Sequence, residues 1–258
     1  MYRDSIPCRP ASLPPRPSHR WALLRGTLTL LALLACLAPP GKAHAQSFCA
    51  SDDQPRPTQL LERFLNADCA TCWTDPATIR PAEGAVALDW VVPGSRSDDA
   101  PLSAVATRDA LYRLDALKQS VPATSQTVQH PVKGIPGAQL RVAHGLPVAD
   151  YLGVSIELKP VPAAARQPWT AWLALVETLP AGTEGSPVER NLVRNLLSGS
   201  WDGRKKLSKD EQDRFFEARS MAITSAASPN RLRVIGWVED AEGRVLVAAQ
   251  SRCLPQPD

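Results

Sequence analysis

Residues 60–72 have the sequence LLERFLNADCATC, in which an apolar run leads into a Cys-x-x-Cys turn formed by Cys69 and Cys72. Two cysteines three positions apart in the first turn of a helix bring their sulfurs within bonding distance. The backbone N–H groups there stabilise the first thiolate. The pattern predicts a strand followed by a helix, with the thiol pair where they meet, as in thioredoxin-like proteins. In that arrangement Cys69 is the exposed nucleophile and Cys72 the buried resolving thiol.

The residue before the turn favours a different interpretation of the same motif. Asp68 directly precedes Cys69, and a neighbouring carboxylate disfavours a second negative charge on the thiol. The Cys69–Cys72 pair is therefore interpreted in two ways, as a redox-active dithiol or as a permanently closed structural disulfide.

The first 45 residues have the order of a secretory signal peptide. An arginine- and proline-rich lead precedes the apolar segment 26–38, and Ala43-His44-Ala45 provides a cleavage site. The apolar segment is too short to span a membrane comfortably. We expect a periplasmic or secreted protein cleaved near Ala45, with no membrane span in the mature chain. A lipoprotein anchored at Cys36 ranks second.

Removal of this segment changes the charge of the protein. The full chain has a net charge of +3, with 29 Lys and Arg and 26 Asp and Glu. Six of the basic residues and one acidic residue, Asp4, lie in residues 1–45, which leaves 23 basic and 25 acidic residues and a net charge of −2. The mature chain therefore lacks the basic character of a nucleic-acid-binding protein.

Four of the six cysteines remain after the predicted cleavage. An even number in an exported chain indicates two disulfides. Spacing pairs Cys69 with Cys72, and elimination pairs Cys49 with Cys253, which would tie the two ends of the mature chain together. The alternative is that Cys49 and Cys253 are separate free thiols.

Hydrophobic patterning predicts two domains and an α/β fold class for the first of them. Residues 46–150 are expected to form a thioredoxin-like domain, with strands at 58–65 and 86–92, a helix from 98 to about 119 and a loop at 121–138. Evenly spaced strands across 151–258 predict an antiparallel, β-sandwich-like second domain. The segment 186–198 fits a helix or a strand.

The chain resembles the exported bacterial family called domain of unknown function 1223, which has a thioredoxin-like N-terminal part. The likeness rests on Glu62 and Phe64 before the Cys-x-x-Cys turn, on residues 86–88, on the helix residues Arg108 and Tyr112, and on 191–196 followed by Trp201-Asp202-Gly203. Val91-Val92-Pro93-Gly94 replaces a polar run of the family, and Ala138 occupies the position of the proline that faces a thioredoxin-like thiol pair. These departures favour a stabilising disulfide. The resemblance implies no established reaction.

Few other side chains suggest chemistry. Glu62 is a possible proton acceptor for Cys72, or else faces solvent. A copper site combining Cys69 and Cys72 with a histidine is a weaker alternative, because His130 and His144 are expected to face solvent. The sequence therefore predicts no metal and no cofactor. Trp169, Trp172 and Trp237 are expected to pack in the core, and Trp201 is expected to be a packing anchor beside a turn.

The function predicted from the sequence is thiol–disulfide exchange through Cys69 and Cys72 with an unknown protein partner. The alternative is a non-enzymatic exported module whose disulfides are structural and which binds a partner. The sequence does not indicate a substrate.

Overall fold

The apolar segment before Cys69 forms a buried strand inside a large sheet. A computed structural model describes residues 49–161, 168–202, 214–224 and 226–253, all within one compact unit, Gln46–Asp258. The strand Gln59–Asn66 is buried along its last seven residues. The predicted signal peptide, its cleavage site and Cys36 lie outside the described residues.

The described part of the chain contains twelve strands, two short α-helices and three 3-10 turns. The α-helices are α1 (Ala70–Trp73) and α2 (Arg108–Ala116), and the 3-10 turns are Ser97–Asp99, Ser103–Val105 and Pro229–Arg231. The strands are β1 (Cys49–Ala50), β2 (Gln59–Asn66), β3 (Ala85–Val92), β4 (Ser125–Pro131), β5 (Gln139–Val148), β6 (Tyr151–Lys159), β7 (Trp169–Leu179), β8 (Arg190–Trp201), β9 (Phe215–Ala222), β10 (Leu232–Glu239), β11 (Val245–Gln250) and β12 (Arg252–Cys253).

A seven-stranded sheet is the centre of the molecule, with the order β11-β10-β7-β8-β3-β2-β4. Strands β2 and β3 are parallel over eight residue pairs, and β3 is parallel to β8. All other pairs in this sheet are antiparallel. Helix α2 covers one face of the sheet, where Ala110 and Leu114 pack with Phe64, Trp90 and Trp237.

The opposite face of this sheet is covered in two parts. A five-stranded sheet, β12-β1-β5-β6-β9, packs on β7 and β10 through an apolar cluster that includes Val142, Ile156 and Leu175. Side chains of α1 and of residues 100–106 pack on β2, β3 and β8, where Trp73 contacts a cluster with Leu65 and Val91. The Cys-x-x-Cys helix therefore lies on the sheet face that the second sheet leaves free.

The N- and C-terminal strands close the five-stranded sheet. Cys49 is the register partner of Cys253 in the antiparallel β1–β12 pair, and β1 also pairs with β5. The Cys49–Cys253 disulfide is formed, as predicted. Strands β1 and β12 have only two residues each, so few hydrogen bonds join them. The disulfide reinforces this weak contact.

The predicted fold class is wrong. The structure is a β-rich fold of two sheets, not an α/β thioredoxin-like domain followed by a β-sandwich-like domain. Both sheets contain strands from either side of residue 150, so the predicted boundary does not separate them. The sequence around Cys69 produces a parallel strand pair and a one-turn helix, but apart from helix α2 the described chain that follows adds mainly antiparallel strands.

Two local predictions are also corrected. The helix expected from residue 98 to 119 begins only at Arg108, because the Thr107 side chain caps it by accepting a hydrogen bond from the Asp109 N–H. The loop expected at 121–138 contains β4, an edge strand whose largely polar, half-exposed residues gave no apolar signal. The ambiguous segment 186–198 contributes to strand β8.

Neither α1 nor α2, the α-helices of the described ranges, has the length and apolarity required to span a membrane.

Candidate functional site

The Cys69–Cys72 disulfide is formed, as the spacing predicts, and it lies where β2 meets α1. Both cysteines are half-buried. Cys72 packs against the apolar cluster around Trp73, whereas the Cys69 sulfur lies 3.6 Å from the exposed Thr71 hydroxyl. Cys72 is thus the more enclosed of the pair. It was expected to be buried, but it is only half-buried.

The turn before the helix is organised by Asn66 and Asp68. The Asn66 side chain donates to the Pro122 carbonyl and accepts from the Asp68 N–H, and the Asn66 carbonyl accepts from the Cys69 N–H. A side chain at Gly94 would collide with the carboxylate of Asp68 and the amide of Asn66, so glycine is required there for steric reasons.

The Asp68 carboxylate is engaged by the neighbouring loop. It accepts hydrogen bonds from the Ser95 N–H, the Ser95 hydroxyl and the Arg96 N–H at 2.8, 2.8 and 3.3 Å. Desolvation acts to raise the pKa of Asp68, but these hydrogen bonds hold it below its usual value. The negative charge that was expected to oppose a Cys69 thiolate is therefore partly compensated by three donors.

A buried pair of arginines lies beneath the other end of α1. Arg190 is fully buried; it donates to the Asp89 carboxylate at 2.8 Å and to the Trp73 carbonyl at 2.9 Å. Arg63 donates to the second oxygen of Asp89 at 2.7 Å and to the Ile79 carbonyl at 2.9 Å. Two guanidinium groups share the Asp89 carboxylate, and backbone carbonyls accept further hydrogen bonds from both.

Trp73 anchors the helix to this cluster. Its indole N–H donates to the Glu184 carbonyl at 2.7 Å, and its ring lies 4.6 Å from the Arg190 guanidinium. Arg190 also approaches the Cys72 carbonyl at 3.5 Å. The four-residue helix is thus held by long-range contacts from β8 and from the loop before it.

Glu62 is not exposed to solvent, and its surroundings do not favour the predicted role of proton acceptor for Cys72. It is fully buried on the opposite face of the sheet from Arg63, so the solvent-facing alternative is wrong. Its carboxylate accepts from Arg113 at 2.6 Å and from the Trp90 indole at 3.0 Å, and His130 Nε2 lies 3.2 Å away. Burial acts to raise the pKa of Glu62, but Arg113 and His130 lower it to about 2. A carboxylate held ionised in this way is a poor proton acceptor for Cys72.

Arg113 is a buried residue that sequence reasoning missed. It lies between Glu62 and Glu239, donating at 2.6 Å to each, and its guanidinium is 4.9 Å from the Trp172 ring and 5.1 Å from the Trp237 ring. Burial acts to lower the pKa of Arg113, but the two glutamates raise it. The only sequence signal was an arginine on the apolar side of helix α2.

The tryptophans expected in the core are buried, and most have a polar partner. The indoles of Trp172 and Trp237 donate to Glu239, and that of Trp201 donates to Glu217. Trp169 is buried as well. The prediction that Trp169, Trp172 and Trp237 pack in the core is confirmed, and Trp201 is buried too.

The two histidines expected to face solvent are not exposed. His130 lies beside Glu62, and His144 is buried beside Cys253, with its Nε2 4.0 Å from the sulfur. Burial lowers the pKa of His144, and nearby Arg233 lowers it further, whereas the Gly145 carbonyl opposes both.

One group of potential metal ligands is found in the described ranges. Ligand atoms of Cys49, His144 and Cys253 lie within 4.8 Å of one another. Both sulfurs belong to the disulfide, and metal ions bind thiolates. The closed form therefore offers a single imidazole, which does not make a metal site. The copper alternative required His130 or His144 beside Cys69 and Cys72. His144 instead lies near Cys253, and His130 lies near Glu62.

Comparison with known proteins gives little further information. No family model matches this sequence, and no curated protein matches it. Among solved structures, the chain is similar to HBP35 of Porphyromonas gingivalis, with 10% identity and a TM-score of 0.49 over 79% of this chain and 81% of that chain. It is also similar to chicken MD-1 complexed with lipid IVa, with 11% identity and a TM-score of 0.21 over 47% of this chain and 93% of that chain. The resemblance to the domain of unknown function 1223 family stays a prediction.

Proposed function

We propose that the protein carries out reversible thiol–disulfide exchange through Cys69 and Cys72. The observation that carries this proposal is that the Cys-x-x-Cys turn is held in place by contacts independent of its sulfur–sulfur bond. A pair that opens and closes repeatedly needs a scaffold that survives reduction, and this turn has one.

Three kinds of contact hold the turn. The Asn66 carbonyl accepts from the Cys69 N–H, the Trp73 indole donates to the Glu184 carbonyl, and buried Arg190 binds the Trp73 carbonyl. The last two contacts join α1 to residues more than 100 positions away in the chain. By contrast, a disulfide across three positions closes a very short loop and stabilises a fold by at most about 2 kcal/mol in the chain-entropy model.

The polar groups around the turn make a Cys69 thiolate less costly. Arg190 supports the helix backbone by donating to the Trp73 carbonyl at 2.9 Å and approaching the Cys72 carbonyl at 3.5 Å. The Asp68 carboxylate accepts hydrogen bonds from three donors of residues 95 and 96. These hydrogen bonds reduce the repulsion between its charge and a Cys69 thiolate.

The exchange step is balanced between the two proteins. The Cys69 thiolate attacks one sulfur of a partner's disulfide, forming a mixed disulfide and releasing the partner's other sulfur as a thiolate. The Cys72 thiolate then attacks the Cys69 sulfur and releases the partner's second thiolate. The Cys69–Cys72 pair is oxidised by two electrons and the partner's disulfide is reduced by two; the reverse sequence oxidises a partner dithiol.

A redox titration tests the proposal. The full chain is equilibrated in glutathione and dithiothreitol buffers, and the alkylation state of each cysteine is read by mass spectrometry. We expect Cys69–Cys72 to be reduced at a potential above about −300 mV, while Cys49–Cys253 stays oxidised. A Cys72→Ser variant should accumulate a mixed disulfide at Cys69, and a Cys69→Ser variant should accumulate much less.

The alternative is a non-enzymatic module with two structural disulfides. The Cys49–Cys253 bond, which joins the terminal strands, has that character. If the Cys69–Cys72 potential also lies below about −300 mV, or if the pair is reduced only when the protein unfolds, the exchange proposal is wrong and the module is the better description.

We also propose that the protein is exported to an oxidising compartment. Two disulfides in the described residues support this, because such bonds persist outside the reducing cytosol. Fractionation of cells expressing the full chain, with N-terminal sequencing of the mature protein, tests both export and cleavage near Ala45.

A further inference from the structure

A cavity whose lining does not include the cysteine turn has three arginines in its wall. Its volume is about 490 Å³, and it opens between the loop 54–57, the start of β3 and residues 250–252. Arg56, Arg233 and Arg252 are among the residues that line it, and Glu189 is the one carboxylate-bearing residue of that lining. A volume of this size lies in the range of small-molecule sites.

Three arginines against one glutamate give the described lining of this cavity a net positive charge. None of the three arginines forms an ion pair with a described carboxylate. Arg233 is half-buried and donates with one nitrogen to the Leu232 and Asn230 carbonyls at 2.6 and 3.3 Å, and no described residue accepts a hydrogen bond from its other nitrogens. Burial lowers the pKa of Arg233, and nearby Arg252 lowers it further. An anion bound near both Arg233 and Arg252 would relieve this mutual repulsion.

A second, apolar cavity adjoins the first. It has a volume of about 220 Å³ and shares Arg56 and Pro57 with the arginine-lined cavity. Its walls are mostly aliphatic, formed by Val132, Ile135, Ala138, Leu140, Val247 and Ala248. Charge in one cavity and aliphatic walls in the next define a site with a polar end and an apolar end.

We propose that the two cavities together bind a single-chain amphipathic anion. The carboxylate or phosphate head lies between Arg56, Arg233 and Arg252, where guanidinium groups donate paired hydrogen bonds to planar or tetrahedral oxyanions. The alkyl chain enters the aliphatic cavity and is removed from water there. This binding is separate from the proposed exchange at Cys69 and Cys72 and does not depend on it.

Calorimetric titration of the full chain tests the proposal, with each ligand below its micelle concentration. The probes are decanoate, decyl phosphate, methyl phosphate and decyltrimethylammonium. We expect decanoate and decyl phosphate to bind, methyl phosphate to bind at least tenfold more weakly than decyl phosphate, and the cationic amphiphile not to bind. The stronger of the two anions identifies the head group.

Variants test the residues. Arg233→Gln and Arg252→Gln should each weaken decyl phosphate binding at least tenfold, whereas Arg108→Gln, an exposed arginine on helix α2, should not. The proposal is overturned if decyltrimethylammonium binds as tightly as decyl phosphate, if methyl phosphate matches decyl phosphate, or if the two cavity variants bind like the wild type. The comparison of head and chain length uses the wild-type chain alone, so it stands even if a variant fails to fold.

Discussion

Single residues in this protein combine full burial with full charge. Glu62, Arg113 and Glu239 form a buried acid–base–acid row, and Arg63, Asp89 and Arg190 form a base–acid–base cluster on the other face of the same sheet. Each row is completed by neutral donors or acceptors, such as the Trp90 indole and the Trp73 carbonyl. Removing one member of such a row leaves a buried charge without a partner. The loss of folding free energy that this causes is larger than the net stability that the intact row contributes.

The acid stability of the protein should report Glu62. In the unfolded chain this carboxyl has its ordinary pKa near 4.5, and in the folded protein its pKa is about 2. Between these values the unfolded state binds the proton more readily, so stability is present above pH 4.5 and is lost as the pH falls towards 2. We expect this residue to account for a loss of about 3 kcal/mol in the free energy of unfolding over that interval.

Denaturant unfolding followed by tryptophan fluorescence between pH 2 and pH 7 measures this loss. Glu62→Gln should be less stable at pH 7 and should show a shallower decline in acid. Glu83→Gln, a change at an exposed position, should follow the wild type. Wild-type and Glu62→Gln profiles that run parallel would show that the Glu62 carboxyl is not the group responsible.

Among the elements, the two disulfides have different surroundings. Cys49–Cys253 joins two strands of two residues each, separated by 204 positions. Cys69–Cys72 closes a four-residue helix that Trp73 and Arg190 already hold. The first bond constrains nearly the whole chain, and the second constrains one turn.

Removing each bond should therefore have unequal effects on stability. Replacing Cys49 and Cys253 by serine should lower the free energy of unfolding by roughly 2–5 kcal/mol, and replacing Cys69 and Cys72 by at most about 2 kcal/mol. Circular dichroism melting of both double variants under oxidising conditions measures the difference. Equal losses, or a larger loss for the Cys69 and Cys72 variant, would indicate that the turn depends on its disulfide and would weaken the exchange proposal.

At the scale of the whole molecule, the stacking of the two sheets depends on close backbone approach. Gly236 lies in β10 beneath the five-stranded sheet, where a β-carbon would come within 2.5 Å of Val142 Cγ1 and 3.0 Å of Ile156 Cδ1. Glycine at this position lets the seven-stranded sheet approach β5 and β6. The apolar cluster of the interface then fills the remaining space.

Gly236→Ala should separate the sheets locally and lower the free energy of unfolding by about 1–3 kcal/mol, as overpacking does. Gly153→Ala, also in a strand but with open space around its position, is the matched control and should be neutral or slightly stabilising. Thermal unfolding of both variants makes the comparison. A neutral Gly236→Ala variant would show that the two sheets are not packed as described.

Local sequence determined the position of most strands and both disulfide pairs. Apolar runs such as 60–65 and 86–92 indicate strands whatever the tertiary fold. The number and spacing of the cysteines leave few possible disulfide pairings. Strand β4 was not predicted because it is a polar edge strand. Helix α2 is shorter than predicted, because the acidic residues and proline in segment 98–101 indicated a start ten residues before Arg108.

Only the tertiary structure decided the fold class and the surroundings of the charged residues. The order of strands in a sheet depends on pairing between distant segments, such as β3 with β8, and no local pattern encodes it. Glu62 and Arg113 are 51 positions apart, so their pairing appears only when helix α2 lies on the sheet. A short stretch around Cys69 is compatible with more than one fold, since its conformation is set by the segments that pack against it.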